Sequence, residues 1–493
     1  MRGLCLKIDG KMAKRIIKKV VKKEMKKEIV KKTINSGKNK IDGFFKAQNI
    51  AVIGAAREPN KIGHIILRNL MANKTVYPVN PNADEIMRLK CYKSVIDIED
   101  KIDLAVIAVK SDLVPQVVIE CGKKRIPRVV IISSGFDEIG RTDLSKKLKK
   151  ALDKYGIAAI GPNCLGIYDS YNEFDGIFLP KQKVKRPEQG GISFISQSGA
   201  LGATLLDMAA ERKYGISKFI SYGNAVNLNE CDFLEYLVED ENTKVICMYI
   251  EQVKDGKRFV ELAKRVSKIK PIIVFKGGVT EQGNKATLSH TGSLAGDAQI
   301  YQGIFKQTGL VQVDMLEDLF GVAKLFEKIL NDKYKINGKR IQIITNGGGY
   351  GIISTDNIIK NEMTMAELSA NTRKTFEKNL PGISIKNPID LLGDTTNERY
   401  KLAISALLNE NNVDMIMIVL LYQTPFLTED IVDVLSEIDQ SKKKPIVVVT
   451  SRSSYGNYTN ITEKLADKGI VCFEFPEQAA RAMGKVLGKI MNH

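Results

Sequence analysis

The residue best suited to chemistry in this 493-residue chain is His290, in Leu288-Ser289-His290-Thr291-Gly292-Ser293-Leu294-Ala295-Gly296. An imidazole is a neutral nucleophile near physiological pH, one nitrogen free to attack while a partner holds the other. Small neighbours let a bulky anion approach, and a glycine-bearing loop could carry a phosphoryl group between sites. The chain has only three histidines, and the other two read as incidental. A lone histidine is more often a surface or satisfied core residue, so the case rests on its company.

That company is one carboxylate and two helix starts. Glu251 ends the apolar run Val245–Ile250. A carboxylate there could accept from the far ring nitrogen of His290, fixing the tautomer and raising the basicity of the other nitrogen. Without His290 it is an ordinary strand-end acid. Ser196-Gln197-Ser198-Gly199-Ala200 follows the run Ile192–Ile195 and opens an apolar helix. Hydroxyls and free N–H groups at such a start suit a phosphoryl oxygen, aided by the helix dipole. Asn346-Gly347-Gly348-Gly349-Tyr350-Gly351 has the same placement. The candidate phosphate ligands are therefore Ser196, Gln197, Ser198, Gly199, Gly347, Gly348 and Gly349. Either turn alone is commonly just a tight connection; two of them with a histidine run point to anion transfer.

A third anion-binding turn lies upstream, in Gly54-Ala55-Ala56-Arg57-Glu58-Pro59-Asn60-Lys61-Ile62-Gly63. Small residues let the backbone approach a phosphate, the next helix offers N–H groups, and Arg57 and Lys61 add charge. It is not the G-x-G-x-x-G fingerprint of dinucleotide sites. The second strand ends in Val79-Asn80-Pro81-Asn82, without the acid that would hold a NAD ribose. Coenzyme A, with its extra 3′-phosphate, fits better; the other reading is an empty Rossmann-like structural domain. Gly54, Ala55, Ala56, Arg57, Lys61, Asn80, Pro81, Val109, Ser134, Gly135 and Asn163 are the candidate CoA contacts. Cys164 stands beside this cleft and reads as a plain buried thiol.

Short apolar runs alternating with helical stretches must position these groups, the pattern of βαβ units and parallel sheets. Strands are predicted at 50–53, 76–79, 104–109, 129–133 and near 157–160, then at 192–195, 218–221, 245–250 and 272–275. A third set is predicted at 341–345, 415–421, 446–450 and 471–473. The fold expected is α/β: a Rossmann-like domain at 42–180 suited to CoA, then two further doubly wound parallel-sheet domains at 181–335 and 336–493. A basic extension, 1–41, precedes them.

Composition narrows the function classes. Residues 1–40 hold 15 of the 75 Lys/Arg and 3 of the 57 Asp/Glu, so two-thirds of the net charge of +18 sits in this arm. Nucleic acid is therefore not an expected partner of the body of the protein. Within the arm, Ile16, Ile17, Val20, Val21, Met25, Ile29 and Val30 recur at helical spacing, an amphipathic Lys-rich pattern that could rest on a partner subunit, an anionic membrane or RNA; a solvated extension, or a true start nearer Met25, is the preferred reading. Seven cysteines without a CxxC pair argue for a reducing cytoplasm and against a disulfide framework or a metal site. No membrane span or signal peptide is expected.

The ordered set of motifs resembles the nucleoside-diphosphate-forming acyl-CoA synthetases, relatives of succinyl-CoA synthetase, and in particular the alpha subunits of their ADP-forming acetate–CoA ligase branch. The markers are Ala51-Val52-Ile53-Gly54-Ala55, Gly161-Pro162-Asn163-Cys164-Leu165-Gly166, Ser196-Gln197-Ser198-Gly199-Ala200, Ser289-His290-Thr291-Gly292 and Asn387-Pro388-Ile389-Asp390, with likeness from about residue 42 onward. The resemblance implies that acyl-CoA, ADP and phosphate interconvert with a carboxylic acid, ATP and CoA through an acyl phosphate. It implies a CoA-binding domain followed by two flavodoxin-like ligase domains, and casts His290 as the phosphorylated residue, Glu251 as its support, and the two helix starts as the phosphoryl holders. It also implies an ATP-grasp module, for which no segment is left over. ADP/ATP and Mg²⁺ are thus expected on a separate beta subunit, in an α2β2 assembly, with no metal on this chain. The basic arm has no counterpart in the pattern. The competing readings are a non-catalytic CoA-sensing or scaffold protein, a succinate- or citrate-type ligase subunit, and an acetyltransferase-linked regulator, for which no acetyltransferase segment is left to assign.

Overall fold

Three sets of Ile/Val-rich runs are covered on both faces by helices, so each forms an almost purely parallel sheet. The structure, a computed structural model, describes residues 41–291, 297–450 and 460–492. The basic arm and Gly292–Gly296 of the histidine run lie outside the described residues.

The first sheet runs in the order Thr75–Val79, Asn49–Ile53, Leu104–Ile107, Arg128–Ile131, Ala158–Ile160, all parallel. The second runs Val311–Val313, Ile272–Lys276, Val245–Ile250, Ile192–Ser196, Ile216–Ser221, then Ile167–Asp169 and Phe174–Asp175. Its last two strands are antiparallel and come from the segment expected in the first domain. Buried Lys218 fastens this edge, its ammonium 3.3 Å from Asp169 and 3.0 Å from Asp240. The third sheet runs Thr364–Met365, Arg340–Thr345, Met415–Val419, Ile446–Val449, Val471–Phe473, with Ile389–Asp390 also pairing to Arg340–Thr345.

One apolar core continues from the first sheet into the second, through Ile50, Val106, Ile195 and Met248. Another continues from the second into the third, through Phe194, Phe320, Ile343 and Met417. Shared cores hold the strand ends of neighbouring sheets in register, which is what a site between domains needs. Among the described residues no helix is long and apolar enough to cross a membrane.

Candidate functional site

Ligands of open parallel sheets bind beyond the carboxyl ends of the strands, where the strand order reverses. In the second sheet that point falls between Ile192–Ser196 and Val245–Ile250. Gln197 and Glu251 are the first residues past those two ends. The Gln197 side-chain oxygen accepts the backbone N–H of Glu251 at 2.8 Å and of Gln252 at 3.0 Å. Glu251 is buried; its carboxylate accepts from the Tyr249 hydroxyl at 3.1 Å, and its carbonyl from the Lys276 ammonium at 2.7 Å. Gly277 passes so near that a Cβ there would sit 2.6 Å from the Tyr249 hydroxyl and 3.5 Å from Glu251 Cγ. The carboxylate singled out by sequence is thus held at N–H, C=O and side chain.

The helix Gly199–Glu211 opens on the same crevice. Ser198 caps it, its hydroxyl accepting from the Leu201 N–H at 3.4 Å, while the Ser196 hydroxyl donates to the Ser198 carbonyl at 2.7 Å. The side chains of Ser196, Gln197 and Ser198 are therefore turned to the protein. What the helix start offers an anion is its first N–H groups, which have no intrahelical partner. Gln197, Ser198 and Gly199 line a cleft of about 790 Å³ shared with Val109, Ser134 and Asn163 of the first sheet.

Several lining residues escaped the sequence reading: Lys110, Ser111, Asn224, and an apolar wall of Ile62, Phe178 and Leu179. Asn224 joins the two domains. Its amide donates to Glu138 at 2.6 Å and its oxygen accepts from Asn163 at 3.3 Å. Burial pushes the Glu138 carboxyl up, but hydrogen bonds from the Gly135 and Phe136 N–H groups and from Asn224 outweigh it, leaving it below the usual carboxylate range. Cys164 also lines the cleft; burial pushes its thiol up to about 12, so it is inert.

The remaining first-domain candidates flank this cleft rather than line it. Gly54 has φ +92°, and a Cβ there would overlap the Ala108 carbonyl. The Asn80 amide donates to the Ala55 carbonyl at 2.8 Å, and Pro81 follows exposed. Buried His64 places Nδ1 3.0 Å from the Ala56 carbonyl, a structural role for a histidine read as incidental. Arg57 and Lys61 are exposed just ahead of Ile62. The helix beginning at Ile62 packs so closely that a Cβ on Gly63 would overlap the Gly54 carbonyl. Gly63→Ala is expected to cost about 1–3 kcal/mol of unfolding free energy, read from a denaturant melt.

The third sheet repeats the device. Asn346 oxygen accepts the Leu421 N–H at 2.9 Å and its amide donates to the Leu421 carbonyl at 3.1 Å, as Gln197 clamps Glu251. Gly347 caps the helix Gly348–Lys360 without a side chain; a Cβ there would overlap Leu421. Gly348 lines a cavity of about 500 Å³ with Thr345, Asp356 and Asp390, while Gly349 is exposed beside it.

His290 lies in the helix Glu281–Thr291, where the sequence reading expected a loop. Thr280 accounts for the start: its hydroxyl accepts the Gly283 N–H at 3.0 Å, and Glu281 pairs with Lys285 at 2.7 Å one turn on. This helix packs against Asp137–Ile139, beside Ser134 and Gly135. The His290 side chain, and with it the pairing to Glu251, lies outside the described residues.

Comparison with known proteins follows the same three-part division. Residues 48–170 match the model of a CoA binding domain, 189–326 that of a succinyl-CoA ligase like flavodoxin domain, and 341–489 that of a ligase-CoA domain. The chain is 37% identical over 454 residues to the acetate–CoA ligase [ADP-forming] II subunit alpha of Pyrococcus furiosus, covering 90% of this chain and 96% of that one. It is 44% identical over 353 residues to the acetate–CoA ligase [ADP-forming] of Methanocaldococcus jannaschii; the match covers 71% of this chain but only 49% of that relative. Its fold is similar to that of a dinucleotide forming acetyl-coenzyme A synthetase 1 of Ca. Korarchaeum cryptofilum solved with phosphate and ADP. That likeness has a TM-score of 0.82 and 36% identity over 91% of this chain and 96% of that one.

Proposed function

The chain belongs to the nucleoside-diphosphate-forming acyl-CoA synthetases, among the alpha subunits of ADP-forming acetate–CoA ligases, and from that premise we propose the following reaction for it. It converts acyl-CoA, ADP and phosphate reversibly into a small carboxylic acid, ATP and CoA. Phosphate attacks the thioester carbonyl, expelling CoA thiolate and forming an acyl phosphate. A nitrogen of His290 then attacks phosphorus and releases the carboxylate. Phosphohistidine finally passes its phosphoryl group to ADP, regenerating the free imidazole.

The observation that carries this reading is the shared cleft. It brings the strand ends of a CoA-type domain against the start of Gly199–Glu211, one strand away from the clamped Glu251. Thioester and phosphate bound there react at the positive end of a helix. Preorganised N–H dipoles stabilise the charge developing on phosphorus, the term that dominates phosphoryl transfer. Arg57 and Lys61 serve the CoA phosphates from the rim, with Gly54, Ala55, Ala56, Asn80, Pro81 and Gly135 shaping the turns beside it and Val109, Ser134 and Asn163 closing the cleft. Glu251 orients His290, and the Gly347–Gly349 helix start forms the second phosphoryl station.

ADP and Mg²⁺ belong to an ATP-grasp beta subunit in a cytoplasmic α2β2 enzyme. The purified chain given acyl-CoA, phosphate, ADP and Mg²⁺ is therefore expected to make no ATP, and to make it once co-purified with such a partner. A luciferase assay reads both cases. Robust ATP formation by the chain alone contradicts the division of labour.

A further inference from the structure

We propose that Lys276 is a positioning residue for phosphoryl transfer, a buried cation that ties together the two strand ends from which Glu251 and the His290 helix depart. The inference rests on the proposed function and adds a residue to it.

Lys276 ends the strand Ile272–Lys276 and lies in register with Ile250, immediately before Glu251. Its side chain turns inward, leaving it 4% exposed. The ammonium donates to the Glu251 carbonyl at 2.7 Å and to the Gly277 carbonyl. It also lies 4.7 Å from the centre of the Tyr301 ring, whose hydroxyl in turn accepts the Val253 N–H at 3.1 Å. One cation thus bridges the exit of the glutamate strand and the exit that leads through Gly277 into Glu281–Thr291.

A purely structural clamp would not need a charge. Burying an ammonium against carbonyl dipoles and a ring is costly, and an apolar side chain of similar volume would pack at lower cost. The charge has a use where negative charge gathers: the Glu251 side chain acts electrostatically on Lys276, and the phosphoryl group on His290 would add more. Burial pulls the ammonium down to about 8, opposed by Glu251, so it stays largely protonated at neutral pH.

The test is the rate at which ³²P-phosphate and acetyl-CoA label wild type, Lys276→Met, Lys276→Gln and Lys276→Arg chains, each checked for folding by thermal melting. Met and Gln are expected to slow labelling about 10- to 100-fold, the loss of a charged hydrogen-bonding group. The acetyl-CoA concentration for half-maximal rate should stay unchanged, and Arg should recover most of the rate. Gln keeps a donor without the charge, and serves alone if Met does not fold. Labelling of a folded Gln or Met variant at the wild-type rate overturns the inference alone, as does an Arg variant as slow as Gln. Absence of label on wild type overturns the proposed function, and the inference with it.

Discussion

Replacing His290 by asparagine is expected to lower acyl-CoA-driven ATP formation by the chain and its nucleotide-binding partner at least about 10³-fold. Asparagine preserves polarity and approximate size but offers no nucleophilic nitrogen, so the phosphoryl group has no carrier between the cleft at Ser198 and a nucleotide elsewhere. The first half-reaction is not expected to fail: acetyl phosphate should still form in the shared cleft, because attack of phosphate on the thioester uses no atom of His290. Chromatographic detection of ³²P-labelled acetyl phosphate beside the ATP assay separates the two steps. Undiminished ATP synthesis would remove the histidine from the mechanism.

Glu251→Gln should come next in size, lowering the rate of His290 phosphorylation about 10²- to 10⁴-fold, as when the carboxylate orienting a catalytic histidine becomes an amide. The change preserves shape. The backbone of residue 251 would still be held by Gln197 and Lys276, since those bonds involve its N–H and C=O. Only the charge that stabilises a protonated or phosphorylated imidazole is lost. CoA affinity, measured by calorimetry, should therefore stay within about twofold of wild type. Wild-type turnover in this variant would show that Glu251 only braces the strand end.

The three parallel sheets were legible because most strands are short Ile/Val runs followed by a glycine- or serine-bearing turn, and period and punctuation agree along most of the chain. The positions of Glu251 and both helix starts followed from the same pattern. Side-chain direction was not legible. Gln197 reads as a phosphate ligand until the parallel pairing of Ile192–Ser196 with Val245–Ile250 shows its oxygen bonded to residues 54 and 55 positions away. Lys276 falls one residue past the predicted run 272–275 and drew no reading there; only the register with Ile250 and the ring of Tyr301 enclose it. Ile167–Asp169 and Phe174–Asp175 are too short to carry a period, so their pairing with the second sheet left no trace in the pattern. The helix carrying His290 has little apolar periodicity, and Gly292 and Gly296 nearby suggested a loop.

The most direct measurement incubates the purified wild-type chain with ³²P-phosphate and acetyl-CoA, without nucleotide, and maps the label by mass spectrometry under alkaline conditions. The account predicts acid-labile, base-stable phosphate on His290, dependent on acetyl-CoA. Label on any other residue, or none while acetyl-CoA is bound, would contradict it.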